Sequence, residues 1–154
     1  MKLVELNHSH KRQLLRYVKD YNKTGETTEG NIALLNFLSF DLFLHNMQHS
    51  GEIRTFLMMD NDKIVGTLDI RNQDLDSRNW LGDIGYSVHP KMRNKGYAKA
   101  ALQQAIDLIE EKMIIITCYK DNYASRKVIE HCGGTLVSEF KYTEIPALRY
   151  EIHK

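Results

Sequence analysis

The spacing of hydrophobic residues divides the chain into alternating strands and helices. Apolar positions that alternate or run continuously predict strands, and apolar positions three and four residues apart predict helices. Residues 24–30 and 71–80 are predicted to be loops, since both are polar and the first is rich in Gly and Thr. The predicted strands are 2–7, a hairpin over 53–71, 81–89, 113–119, 135–142 and 147–153; the predicted helices are 10–23, 31–50, 98–109 and 122–132.

This order of elements predicts one α/β (α+β) domain over residues 1–154. We expect a mixed, mostly antiparallel sheet of about six to seven strands, flanked by about four helices. The run MIIITCY at 113–119 is apolar at nearly every position, as in a strand that is buried on both faces. A chain of 154 residues is long enough to bury a core without disulfides or a metal.

Composition and charge argue against several classes of binding partner for this protein. The chain has 21 Lys plus Arg against 20 Asp plus Glu, and the net charge of +1 argues against nucleic acid as a main partner. The most apolar stretch, 32–44, carries Asn, Ser and Asp and is too short to span a bilayer, so no membrane is expected. Cys118 and Cys132 lack the spacing of a zinc pair and are too few for a disulfide framework, which predicts reduced thiols and a cytoplasmic protein.

One pair of histidines has the spacing of metal ligands. His45 and His49 lie four apart on a predicted helix, as in the H-E-x-x-H zinc motif. Asn46 stands where that motif has its glutamate, so hydrolytic zinc chemistry is not supported. We predict solvated histidines and no metal.

The stretch VHPKMRNKGYAKAAL, residues 88–102, places basic residues and a glycine where a strand gives way to a helix. A helix N-terminus has unpaired N–H groups and the positive end of the helix dipole, so it favours an anion. Gly96 lets the backbone come close to that anion, and Arg93, Lys95 and Lys99 add positive charge. The stretch therefore predicts a phosphate-binding site.

The same stretch resembles the signature of the GCN5-related N-acetyltransferases. In that family a strand ends and a helix opens with Gln or Arg, two residues, Gly, one residue, then Gly or Ala, which here is Arg93 to Ala98. The run DNYASRKVIEHCGG is similar to the family's second landmark, an Asn that opens a short helix ending before glycine. The resemblance extends from about Ile53 to Tyr142.

The resemblance implies acetyl-CoA as co-substrate. Its pantetheine arm is expected to pair with the strand backbone near Tyr86 and Val88, in a splay between the fourth and fifth strands. Asn122 and Ser125 are expected on the other side of the arm. The backbone N–H of Val88, at a strand bulge, is the implied oxyanion donor. The diphosphate is expected on the backbone N–H groups of Arg93, Asn94, Lys95, Gly96, Tyr97 and Ala98.

The implied reaction is direct attack of a neutral amine on the thioester, which needs an acceptor for the amine proton. Asp83 and Asp69 are candidate bases, because each is a carboxylate in an otherwise apolar strand. The alternative for each is a structural ion pair with Arg or Lys, or a position facing solvent. Sequence alone leaves both open, with the structural alternative favoured.

The acid that would protonate the leaving thiolate is less evident. Many family members have a tyrosine seven residues after the landmark Asn, and Ile129 occupies that position here. The remaining candidates are Tyr119, Tyr123, and Ser125 acting through water.

These observations predict an N-acetyltransferase that acts on a primary amine of a small molecule or an amino-acid derivative. Two alternatives stay open: acetylation of a protein N-terminus, and an acyl-CoA sensor without turnover. The acceptor is expected between the first fifty residues and the closing strands, where no pattern identifies it. The partners expected are acetyl-CoA and the amine, with a homodimer left open.

Overall fold

The elements agree closely with the spacing of the apolar residues. The computed structural model describes residues 1–26, 40–72 and 74–154. The predicted loop at 27–30 and the predicted helix over 31–39 lie outside the described residues. The described strands are β1 Lys2–Glu5, β2 Ile53–Asp60, β3 Lys63–Arg71, β4 Ile84–Val88, β5 Met113–Tyr119, β6 Thr135–Tyr142 and β7 Ile145–His153. The described α-helices are α1 Lys11–Asn22, α2 Phe40–Ser50, α3 Leu75–Leu81, α4 Tyr97–Leu108 and α5 Tyr123–His131.

The strands form two sheets, ordered β1-β2-β3-β4 and β5-β7-β6. Every pairing between the described strands is antiparallel, so the α+β class is confirmed, whereas the mixed sheet is replaced by two antiparallel ones. Short turns account for the antiparallel pairing of β2 with β3 and of β6 with β7, because both pairs are hairpins whose turn residues have positive φ. None of the described helices is long and apolar enough to cross a membrane.

The two sheets meet at one point, between the start of β4 and β5. The Asp83 N–H donates to the Ile115 carbonyl at 2.7 Å, and the Ile115 N–H donates back to the Asp83 carboxylate at 2.8 Å. Arg78 of α3 donates two hydrogen bonds, of 2.6 and 2.8 Å, to the same carboxylate. No other backbone hydrogen bond joins β4 and β5 in the described part of the chain. We call this contact between Asp83, Ile115 and Arg78 the apex tie, because the two strands separate beyond it.

Two hydrophobic clusters hold the helices on the sheets. The larger lies beneath α4 and α5 and includes Leu68 and Ile84 of the first sheet with Ile114 and Ile116 of the second, each at most 2% exposed. The smaller lies on the opposite face of the first sheet, beneath α1 and α2. Because the larger cluster takes side chains from both sheets, burial of its apolar surface holds them together below the splay.

Helix α3 corrects the predicted loop at 71–80. Asp74 accepts the Ser77 N–H at 3.0 Å and caps the helix, which ends at Gly82 with φ of 70°. The helix buries none of its residues, so it has no apolar stripe for a sequence pattern to reveal. Gly82 is required here, because a Cβ would lie 3.0 Å from the Thr117 N and 3.1 Å from the Ile115 O.

The apex tie gives a stability prediction. We expect Asp83→Asn to lower the free energy of unfolding by about 3 kcal/mol, because it removes one partner of a buried ion pair. Glu5→Gln is the matched control, since Glu5 also meets an arginine, Arg54, through two hydrogen bonds, but on the surface. That change should cost less than about 1 kcal/mol in urea unfolding. Equal losses for the two variants would show that the apex is not a stabilising tie.

Candidate active site

The open edge of β4 offers backbone hydrogen-bonding groups to a ligand. The Arg71 N–H donates to the Asp83 carbonyl, and the β3–β4 register runs unbroken from Ile70–Ile84 to Gly66–Val88. Hydrogen-bonded and non-hydrogen-bonded pairs alternate in an antiparallel ladder, so the N–H and C=O groups of Tyr86 and Val88 point away from β3, into the splay. The β3–β4 register has no bulge at Val88, and simple alternation already exposes the Val88 N–H. The bulge of the first sheet is in β3, where Val65 is the extra residue opposite Met58 and Met59 of β2.

The loop after β4 forms the start of α4. His89 caps a short 3₁₀ helix at Pro90–Met92 by accepting the Lys91 N–H. Asn94 and Gly96 then take positive φ values of 62° and 80°, and Gly96 is the N-cap of α4. A Cβ added to Gly96 would find no atom within 4 Å, so this glycine borders open space at the start of α4.

A groove of about 550 Å³ runs from this loop along β4 to α5. Lys99 contributes to its lining, whereas Lys95 does not; the Lys95 ammonium lies 3.9 Å from the Met92 sulfur. Tyr97 directs its hydroxyl away to Asp60, at 2.6 Å. Of the predicted residues, the groove brings together Tyr86, Val88, Arg93, Asn94, Gly96, Tyr97, Ala98, Asn122 and Ser125.

Helix α5 places three polar groups opposite β4. Asn122 caps the helix by accepting the Ser125 N–H at 3.0 Å, which fixes the first turn. The Ser125 hydroxyl lies 2.9 Å from the Tyr86 hydroxyl, so a side-chain hydrogen bond joins α5 to β4 across the splay. Burial raises the pKa of Tyr86, which keeps its proton at neutral pH.

A second, smaller cavity of about 130 Å³ lies at the other end of the splay. It shares Tyr86, Asn122 and Ser125 with the groove. Tyr142 and Ala147 of the closing strands line it, together with Tyr119 and Cys118, whereas none of the described residues among the first fifty does. Its other lining residues are Arg71, Trp80, Leu81, Ile84, Gly85 and Thr117.

Cys118 is not set up as a nucleophile. Burial raises the pKa of its thiol to about 11, so the reactive thiolate is scarce near neutral pH.

The end of α1 lies against the β4–α4 loop and brings in residues that sequence reasoning missed. Asp20 lies 3.2 Å from His89 and 3.4 Å from Lys91. Glu26 forms an ion pair with Arg93 at 2.5 Å and lines the groove. No local pattern could identify Glu26, because it belongs to a loop 67 positions before its partner.

The structure separates the two carboxylates predicted as bases. Asp83 belongs to the apex tie, where it forms an ion pair with Arg78. This is the structural role that the sequence offered as the alternative to a catalytic base. Asp69 lies on β3, is 5% exposed and accepts a hydrogen bond from the Thr55 hydroxyl at 2.5 Å. Burial raises the pKa of Asp69 to about 6, against the hydrogen bond from Thr55 and the charge of Arg71, which lower it.

Three other residues singled out in the sequence line neither the groove nor the smaller cavity. Ile129 is fully buried in the larger core cluster, directly against Gly134, so this position faces away from the groove. His45 and His49 are stacked, with ring centroids 3.9 Å apart. Among the described residues, no group of three His, Cys, Asp or Glu is arranged to hold a metal.

Comparison with known proteins identifies the family of this chain. The model of the acetyltransferase (GNAT) domain matches residues 4–135, which is most of the chain. The chain belongs to the GNAT family. This confirms the resemblance drawn from the glycine-containing signature and the Asn122 landmark. No curated protein sequence matches it significantly.

Solved structures share this GNAT fold at low sequence identity. A ribosomal L7/L12 alpha-N-protein acetyltransferase in complex with coenzyme A is 16% identical with a TM-score of 0.73, over 98% of this chain and 92% of that one. A spermidine N-acetyltransferase mutant from Vibrio cholerae is 16% identical with a TM-score of 0.72, over 99% and 95%. A microcin C7 self-immunity acetyltransferase, in complex with acetyl-CoA and AMP, is 16% identical with a TM-score of 0.75, over 99% and 93%.

Titration of Asp69 should be visible in stability. The folded protein holds this proton up to about pH 6, whereas an ordinary Asp loses it near pH 3.8, so the folded state binds more protons in between. The contribution of Asp69 to the free energy of unfolding therefore falls as the pH rises through this window, by up to about 3 kcal/mol. We expect Asp69→Asn to remove this dependence in urea unfolding between about pH 4 and pH 7. The prediction fails if both proteins show the same slope.

The Glu26–Arg93 ion pair should compete with a bound diphosphate. Both side chains are 44% exposed, so the pair is worth at most about 1 kcal/mol. We expect Glu26→Gln to tighten coenzyme A binding by up to about fivefold in calorimetry, because Arg93 is released for the phosphates. Glu144→Gln, which breaks the exposed pair with Lys141, should leave the affinity unchanged. Weaker binding by Glu26→Gln would mean that Glu26 supports the loop instead.

Proposed function

We propose that this GNAT protein is an acetyl-CoA-dependent N-acetyltransferase, which transfers the acetyl group to a primary amine of a small molecule or an amino-acid derivative. The observation that supports this most strongly is the groove of about 550 Å³. It begins at a glycine-capped helix N-terminus and runs along the edge of β4 that faces the splay. The N–H and C=O groups of Tyr86 and Val88 point into this splay, where the Val88 carbonyl accepts a hydrogen bond from the Arg93 Nε at 3.3 Å.

The residues present fit the parts of acetyl-CoA in order. The diphosphate would lie on the N–H groups after Gly96, with Arg93 beside it, and Lys99 is placed for the ribose phosphate. The pantetheine arm would add to the edge of β4 as an extra strand, since its amides can pair with Val88 and Tyr86. The thioester then reaches the boundary between groove and smaller cavity, where Tyr86 and Ser125 meet.

The proposed chemistry is direct transfer. The amine nitrogen attacks the thioester carbonyl, and the oxyanion is stabilised by a backbone N–H of the open β4 edge. Asp69 keeps a basic carboxylate at neutral pH, with a pKa of about 6, but it lines neither the groove nor the smaller cavity, so we retain it only as a base that acts through a bridging water. The protonated Cys118 argues against an acetyl-cysteine intermediate.

The acceptor is the least constrained part. The similar structures include proteins named for a ribosomal protein, spermidine and microcin C7, so one fold serves different acceptors. Our preference for a small amine is supported by the smaller cavity, whose 130 Å³ suits the amine end of a small molecule. Acetylation of a protein N-terminus and acyl-CoA sensing remain the alternatives.

We also propose that one domain, residues 1–154, carries both halves of the site, because groove and cavity share three residues. A cytoplasmic location agrees with two cysteines that are free thiols.

Thiol release tests the reaction. Purified protein is incubated with acetyl-CoA and a panel of small amines, amino acids and short peptides, and free coenzyme A is measured. Release that depends on a small amine supports the proposal, and release only with peptides favours the N-terminal alternative. Tight acetyl-CoA binding without release from any acceptor would favour the sensor.

Gly96 tests the cofactor site. We expect Gly96→Ala to weaken coenzyme A binding at least about tenfold, because a Cβ at φ 80° is strained and would shift the loop that lines the groove at the start of α4. Gly51→Ala is the control: Gly51 also has positive φ, 65°, with nothing within 4 Å, so it suffers the same backbone strain away from the groove. Calorimetry should show normal affinity for Gly51→Ala; unchanged affinity in folded Gly96→Ala would contradict the site.

A further inference from the structure

We infer that the acceptor carries a carboxylate beside its amine, as a free amino acid does, and that Arg71 binds this carboxylate in the smaller cavity. The inference rests on the proposed function, because it names the substrate class for the acceptor side of that site. It gives a role in specificity to Arg71, which the sequence analysis did not single out. Polyamines and peptide N-termini, which have no carboxylate beside the amine, are expected to bind less well.

The smaller cavity has a positive charge in its lining. Arg71 is the only Arg, Lys, His, Asp or Glu among the described residues that line it. Burial lowers the pKa of Arg71 from its ordinary value, but a guanidinium still keeps its proton at neutral pH. The cavity therefore attracts an anionic group of an acceptor and repels a second cationic one, such as the additional ammonium groups of a polyamine.

Hydrogen bonds to neutral groups hold Arg71 in place. Its backbone N–H donates to the Asp83 carbonyl at 2.8 Å, and its Nη1 donates to the Leu81 carbonyl at 2.6 Å, at the end of α3. Because both partners are carbonyl groups, they orient the side chain without cancelling its charge. The planar guanidinium also matches the two oxygens of a carboxylate, which a Lys ammonium at this position would not do.

Two carboxylates, Asp69 and Asp83, favour the charged form of Arg71 from outside the cavity. The Asp83 carboxylate accepts two hydrogen bonds from Arg78 and one from the Ile115 N–H. Asp69 accepts a hydrogen bond from a threonine hydroxyl of β2. Neither carboxylate lines the smaller cavity, so an acceptor that enters it contacts the guanidinium and not these two neighbours.

The position of Arg71 suits an acceptor that is held at one end and reacts at the other. Arg71 is the last residue of β3 and lines the smaller cavity but not the groove. The two spaces share Tyr86, Asn122 and Ser125, and the thioester of the proposed complex lies at this boundary. A carboxylate bound at Arg71 therefore leaves the amine of the same molecule directed toward the thioester.

The transfer itself leaves the carboxylate unchanged. The amine nitrogen forms the new bond to the acetyl carbon, and the carbon–sulfur bond breaks with its electron pair on sulfur. The amine proton leaves through the base to solvent, and the coenzyme A thiolate takes a proton from solvent. The product is an N-acetylated amine that still carries its carboxylate.

Binding of matched ligands tests the inference without turnover. Trp80 is the only tryptophan of the chain and lines the smaller cavity, so its fluorescence reports the entry of a ligand. The protein, with and without coenzyme A, is titrated with leucine, leucinamide and isopentylamine, and then with alanine, alaninamide and ethylamine. Within each series the amine and the side chain are kept and only the carboxylate is changed. We expect the amino acid to bind at least about tenfold more tightly than its two analogues in at least one series.

Variants of two arginines assign the preference to Arg71. Arg71→Gln should weaken binding of the amino acid at least about tenfold and change that of the simple amine little. Arg54→Gln is the matched control and should keep the wild-type preference, because Arg54 pairs with Glu5 on the surface and lines neither cavity. Since Arg71 also holds the end of α3, circular dichroism checks the folding of its variant. If that variant does not fold, the wild-type series alone decides.

Two results would overturn the inference. One is a wild-type protein with no preference for the carboxylate in either series, and the other is a folded Arg71→Gln variant that keeps the preference. Absence of thiol release with every acceptor would count against the proposed function instead, and the fluorescence titration would still decide on Arg71.

Discussion

The site depends on β4 and β5 being tied at one end only. Asp83 makes this tie by using its backbone N–H and its carboxylate on Ile115, while Arg78 holds the carboxylate in place. A continuous ladder between the strands would pair the edge of β4 and leave nothing for a ligand. Separation without the tie would expose the core cluster that spans both sheets. The buried ion pair therefore sets how far the sheets separate.

The two ends of the open splay serve different chemistry. Toward the β4–α4 loop, the helix N-terminus and Arg93 attract phosphates. Toward the smaller cavity, the surroundings are aromatic and partly apolar; Tyr86 and Cys118 keep their protons there, and the Arg71 side chain also lines the cavity. In the proposed complex, the helix N-terminus and Arg93 would hold the phosphates at the distant end of the cofactor, while hydroxyls and backbone N–H groups would surround the reacting end.

Much of the fold could be predicted because its signals are local. Apolar spacing predicted the hairpin and α4, and the glycine with its basic neighbours marked the loop that precedes α4 and lines the groove. Helix α3 was missed, since it rests on the Asp74 cap and Arg78 and not on an apolar face. Asp69 and Asp83 look alike in sequence, both being carboxylates in apolar strands. Their partners, Thr55 and Arg78, lie on other elements, so only the folded chain could separate a titrating group from a structural one.

Backbone hydrogen exchange with and without coenzyme A tests the central claim most directly, namely that the open edge of β4 receives the cofactor. The Tyr86 and Val88 amides point into the splay, so bound pantetheine should slow their exchange, together with the amides that follow Gly96. The Ser87 amide, which pairs with β3, should change little and serves as the internal reference. Protection after Gly96 without protection of Tyr86 and Val88 would show that phosphate binds but the arm does not enter the splay, and would contradict the account.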